Sequence, residues 1–252
     1  MSEASPFKLP DRRLPVDVAV DIMKQKYPHA LLAFVAGSFN RGEATLYSDI
    51  DLVVIFAKLD NAWREAFIFQ DWPVEVSSHD PETLRYFFRD DAKSGIPSLP
   101  AMVLEGPAVP VGHPMAVELK TLANRVLSEG APRWDARTLD AKRYSITDLI
   151  NDLRDPRTPL ESAATIGTLH EQLGDFYFRA QGLWSASDKH IPRWLAKTDP
   201  ALAARWEAAF LDAQQGQHNK LFSLTAEILL PYGGLRSAGH RLDAPPDWRL
   251  RG

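Results

Sequence analysis

Two short apolar runs dominate the first quarter of the chain. One is Ala30 to Ala36 (ALLAFVA), closed by Gly37; the other is Ile50 to Phe56 (IDLVVIF). Each is continuous rather than alternating and too short for an ordinary helix, so each reads as a strand buried on both faces. Residues 64–69 (REAFIF) and 74–78 (VEVSS) read as two more strands, with Gln70-Asp71-Trp72-Pro73 as the turn between them. Ahead of these, Val16, Val20 and Met23 recur at helical spacing until Pro28. Pro81-Glu82 opens a short helix through about Arg89, and residues 90–112, rich in Pro and Gly, read as a boundary region.

Beyond residue 113 the strand pattern stops. Helices are expected near 115–128, 135–154, 160–181, 199–214 and 217–229. In the second of these, Ile146, Leu149, Ile150 and Leu153 form an i, i+3, i+4, i+7 stripe. The expected fold class is therefore α+β: a small mixed-sheet domain followed by a C-terminal helical bundle. The expected organisation is an N-terminal arm at 1–15, the α/β domain at 16–112, the bundle at 113–230 and an irregular tail at 231–252.

Composition removes several function classes. The chain has 252 residues and no cysteine, which excludes disulfides, thiolate metal sites and cysteine nucleophiles. No apolar run approaches the roughly 20 residues of a membrane span. The start of the chain lacks the apolar core of a secretory signal, so a cytoplasmic protein is expected. A net charge of −4 argues against a nucleic-acid partner. Residues 1–112 hold 11 basic and 16 acidic side chains and thus the whole of the negative excess, which suits a cation site.

The chemistry concentrates between the two apolar runs, where Gly37-Ser38 is followed after ten residues by Asp49-Ile50-Asp51. Residues i and i+2 of a strand share a face, so Asp49 and Asp51 point the same way. Two carboxylates so close, entering an apolar strand, are unfavourable unless a cation compensates them. Mg²⁺ takes oxygen ligands and commonly keeps substrate phosphates in its shell. A pair of such ions can activate an attacking hydroxyl and stabilise a leaving pyrophosphate. Gly37 permits a close backbone approach, and Ser38 offers a hydroxyl and an amide to a phosphate. Arg41 brings a positive charge to the same place. Glu75, within Pro73-Val74-Glu75-Val76, is the expected third carboxylate.

The segment GSFNRGEATLYSDIDLVVIF resembles the signature of the DNA polymerase β-like nucleotidyltransferase superfamily, over about residues 16–112. The resemblance implies triphosphate binding at Gly37 and Ser38, and metal binding and catalysis at Asp49, Asp51 and Glu75, with two Mg²⁺ and ATP as donor. The second half is similar, more distantly, to the helical domain of bacterial antibiotic-type nucleotidyltransferases such as the kanamycin and lincosamide enzymes. Arg143-Tyr144, Asp148, Asp152, Glu161, Trp184 and the run Lys189 to Leu195 carry that similarity. It implies a bundle that binds the acceptor. Asp148 and Asp152, at i and i+4, are the candidate acceptor contacts, and Lys189 is a candidate phosphate contact. His170 reads as a packed histidine, and no metal-ligand spacing supports His79. The expected activity is transfer of a nucleoside monophosphate from a nucleoside triphosphate to a hydroxyl of a small molecule, an aminoglycoside-like antibiotic among the options. The competing expectation is a nucleotide-binding regulatory module, or an AMPylating, antitoxin-like protein.

Overall fold

The computed structural model describes residues 13–241 and residue 243. The chain divides into two compact units, residues 1–130 and 131–252. Residues 1–12 of the expected arm, and residues 242 and 244–252 of the expected tail, lie outside the described residues.

The first unit begins with α1 (Pro15–Lys26), which carries proline at its first position, where no helical N–H is lost. It is followed by β1 (Leu32–Ala36), a single 3₁₀ turn (Ser38–Arg41) and β2 (Ile50–Ile55). β3 (Trp63–Phe69) and β4 (Trp72–His79) form a hairpin. Its turn is tighter than expected: Gln70 and Asp71 both adopt positive φ, and Trp72 and Pro73 already belong to β4. A two-residue turn of that kind matches the twist of the flanking strands. α2 (Pro81–Ser94) starts at a capping box between Asp80 and Thr83 and ends at Gly95 in the left-handed conformation.

Next come α3 (Ser98–Glu105), the two-residue strand β5 (Ala108–Val109) and α4 (Pro114–Glu129). The sheet order is β3-β4-β2-β1-β5; β2 and β4 run parallel and the other neighbours antiparallel. The apolar runs explain the layering. On one face Ala33, Val35, Leu52, Val54, Val74 and Val76 pack against Val18, Ala19 and Ile22 of α1. On the other, Leu32, Phe34, Val53 and Ile55 pack against Leu84 and Phe88 of α2, Val103 of α3 and Leu119 of α4. Each of the fully buried Val, Leu, Ile and Phe side chains among these contributes about 1.5–3 kcal/mol. α4, expected at the head of the bundle, thus packs on the sheet, and the compact unit ends at Gly130 rather than near residue 112.

The second unit is helical, as expected. It comprises α5 (Ala136–Asp152), α6 (Pro159–Ala180), α7 (His190–Thr198), α8 (Pro200–Gln214) and α9 (Asn219–Leu229). Its core gathers Ile146 and Ile150, Leu169, Leu173 and Phe176, Trp206 and Leu221 among others. A Cβ on Gly174 of α6 would fall 2.7 Å from Ile191 of α7, so glycine there sets how closely these helices approach. The α+β class holds, and no described helix is long and apolar enough to cross a membrane.

Candidate active site

Strand register assembles the acidic cluster. Asp49 directly precedes β2, Asp51 is its second residue, and in the parallel β2–β4 ladder Asp51 lies opposite Glu75. Val74 and Val76 are buried in the core of the opposite face, which turns Glu75 toward the aspartates. One carboxylate oxygen from each of Asp49, Asp51 and Glu75 lies within 4.8 Å of the others. Asp49 and Asp51 are half-buried and Glu75 is exposed.

The electrostatics follow from that crowding. Burial, then the charges of Asp49 and Glu75, push the Asp51 carboxyl up to about 6. Arg41 and Arg64 pull the other way without cancelling the effect. Arg64 of β3 reaches Glu75 at 3.6 Å, but it is largely exposed. Three acceptor-only groups, held close by a rigid ladder and short of positive charge, are a donor set that fits a divalent cation.

Gly37, at the end of β1, has φ 106°, in the region that favours glycine. A Cβ there would sit 3.0 Å from Asp51 Oδ2. Gly37 therefore lets the backbone turn and the carboxylate share one space. Ser38 follows, its Oγ 2.9 Å from Ser48 Oγ, which in turn accepts the Thr45 amide at 2.8 Å. Asn40 donates its side-chain amide to the Val35 carbonyl. These bonds fold residues 38–48 back so that Ser38 and Asp49 close one short loop. Ser48 and Arg64 were missed in the sequence. A hydroxyl directly before Asp49 was the available signal for Ser48, whereas only the hairpin register brings Arg64 to Glu75.

Arg41 lies at the same loop but is already engaged, with Glu43 at 3.2 Å and Glu105 at 3.8 Å. Asp148, Asp152 and Lys189 belong to the second unit, where all three are exposed. Several residues that carried the bundle resemblance have structural partners. Arg143 donates to the Gly234 and Gly233 carbonyls at 2.8 and 2.6 Å, and Glu161 meets Arg157 beside the start of α6. Ile191 and Leu195 are core. The packed reading of His170 stands: its Nδ1 accepts from Trp206 Nε1 at 3.1 Å. His79 is buried, and burial drives its pKa down to about 4.

The sequence profile of the nucleotidyltransferase domain family matches residues 16–99. A solved structure, of a nucleotidyltransferase-like protein from Exiguobacterium sibiricum 255-15, is similar with a TM-score of 0.38 and 11% identity. That similarity covers 84% of this chain and 80% of the other. No curated protein matches the chain.

Proposed function

We propose that the protein, whose residues 16–99 match the nucleotidyltransferase domain family, moves a nucleoside monophosphate, AMP from ATP, onto a hydroxyl of a small-molecule acceptor. The observation that carries the proposal is the clustering of Asp49, Asp51 and Glu75 next to the Gly37-Ser38 turn. Asp49, Asp51 and Glu75 would hold Mg²⁺, two ions by resemblance to the superfamily. Bound there, Mg²⁺ would neutralise charge on the donor phosphates.

The chain's own residues do the rest. Gly37 and the Ser38 amide and hydroxyl take the triphosphate at the turn, with Ser48 fixing the Ser38 hydroxyl. The acceptor oxygen bonds to the α-phosphorus as the bond to pyrophosphate breaks, and Glu75, the most exposed of the three carboxylates, receives the acceptor proton. Arg64 orients Glu75 through their ion pair. Arg41 joins the phosphates only by leaving Glu43 and Glu105.

For Asp148 and Asp152, exposed one turn apart on α5, the bundle resemblance is what supports a role toward an acceptor, as it is for Lys189 toward phosphate. An ATP donor places the work in the cytoplasm. The test is label transfer from α-labelled ATP in the presence of Mg²⁺ and a broad panel of hydroxyl-bearing small molecules. Wild-type protein transfers label and releases pyrophosphate, and Asp51→Asn does not. Undiminished transfer by a folded Asp51→Asn protein overturns the assignment.

A further inference from the structure

On the sheet face that bears Glu75, a cavity of about 290 Å³ opens between the β3–β4 hairpin and helices α2 and α3. Its polar lining is Arg64, Ser77, His79, Asp91 and Ser98. Phe87, Leu99 and Met102 supply apolar wall. The strand period ties it to the acidic cluster: Ser77 and His79 follow Glu75 at i+2 and i+4, on the same face of β4. Arg64 lines the cavity and also meets Glu75 at 3.6 Å.

Two features mark it as more than a packing gap. His79 is 5% exposed, its ring 5.2 Å from that of Phe87, and its Nδ1 is buried with no hydrogen-bond partner. A buried polar atom without a partner is unfavourable by about 1–3 kcal/mol, so His79 is held in this wall at a cost that local packing does not offset. The size is at the lower end of small-molecule sites, enough for a single sugar-like ring.

We propose that this cavity binds a neutral, polyhydroxylated small molecule of monosaccharide size and directs one of its hydroxyls toward Glu75. The class follows from the lining. Hydroxyls, an imidazole and a carboxylate offer donors and acceptors to several hydroxyls, while Phe87 and Met102 offer apolar surface to a ring face. A polycation is disfavoured. Arg64 guards the cavity, and the one lining carboxylate, Asp91, already accepts the Leu99 amide at 2.7 Å. Burial pushes the Asp91 carboxyl up and the His79 imidazole down. As an account of the acceptor, the proposal rests on the transferase reading above, and it replaces the aminoglycoside-like expectation with a neutral polyol.

Saturation-transfer NMR on the full-length protein without nucleotide tests it, with myo-inositol and glucose as neutral probes and kanamycin as the polycation. Two variants plug the cavity from different sides, Ser98→Trp at the exposed start of α3 and Ala62→Trp in the loop before β3. Circular dichroism identifies which of them fold. A neutral probe should bind wild-type and Asp51→Asn protein alike and lose roughly tenfold in affinity in a folded plug variant. Kanamycin should show no binding that a plug removes. No signal from either neutral probe, neutral-probe binding unchanged in a folded plug variant, or kanamycin binding abolished by the plugs would each overturn the proposal. Because binding is read without nucleotide, its failure is distinct from a failure of Asp51→Asn to abolish transfer.

Discussion

The two units treat their carboxylates in opposite ways. In the helical unit several acids are each paired with a cation: Asp175 with Lys142 at 3.0 Å, Asp140 with Arg236 at 2.9 Å, Asp212 with Lys220 at 2.7 Å. Pairs like these, at or near the surface, are each worth about 0–1 kcal/mol. In the sheet unit Asp49, Asp51 and Glu75 face one another, and no other group of this kind occurs among the described residues. Architecture accounts for the contrast. A helix spreads its side chains around an axis and leaves room for a cation beside each acid. A ladder fixes Asp51 opposite Glu75 and gives neither a way to withdraw. Concentrated charge that one exposed arginine only partly offsets is a device for binding something, whereas dispersed and paired charge is surface.

The sharpest way to break the comparison is to remove charge from the cluster. Asp49→Asn or Asp51→Asn should lower nucleotidyl transfer by roughly a thousandfold, or about 4 kcal/mol in barrier, with the fold intact. Label transfer from α-labelled ATP measures this.

Proton linkage comes next, and two groups on the same sheet face carry opposite signs. Asp51 titrates near 6 in the fold against about 3.8 unfolded. The native state therefore holds the extra proton between those values, and metal-free stability falls as pH rises from 4 to 6. His79 titrates near 4 against about 6.5 unfolded. Here the unfolded state holds the extra proton, and stability falls as pH drops from 6.5 to 4. Each contribution is at most about 3 kcal/mol. Denaturant titrations of metal-free protein across pH 4–7 should show the acid-side loss shrink in His79→Gln. The same titrations should show the loss toward neutral pH shrink in Asp51→Asn.

Gly37→Ala should come third. It places a Cβ 3.0 Å from Asp51 Oδ2 at a φ of 106°, a strain of about 1–2 kcal/mol. A stability loss of that size, together with transfer reduced by roughly tenfold or more through displacement of Asp51, is the expected result. The smallest effect belongs to the helical unit. Removing the exposed charges by Asp148→Asn with Asp152→Asn should change its unfolding free energy by less than about 0.5 kcal/mol. A larger change would show that these acids, too, are built into the fold.

The same contrast governs how much could be read from the sequence. Continuous apolar runs announced β1 and β2, and the i, i+2 rule together with a glutamate among valines announced the cluster before its register was known. Helix α3 was hidden because Pro97 and Pro100 suggest a boundary, although both fall at or near the helix start, where proline is tolerated. The two residues of β5 are too few to show a period. α4 was legible as a helix but not in its partner, since an apolar stripe says that a face is buried and not against what. The cavity beside β4 was illegible for a related reason: Arg64, His79, Asp91 and Ser98 come from four separate segments, and only the packing of α2 and α3 on the sheet brings them together.

The central claim, that the sheet unit's carboxylates form one cation site, can be tested without knowing the acceptor. Mn²⁺ in place of Mg²⁺ can be titrated into wild-type and Asp51→Asn protein, with and without a non-hydrolysable ATP analogue, and followed by its paramagnetic signal. Wild-type protein should bind Mn²⁺, more tightly with the analogue present, and Asp51→Asn should lose that binding. Equal Mn²⁺ binding by the two proteins would contradict the claim.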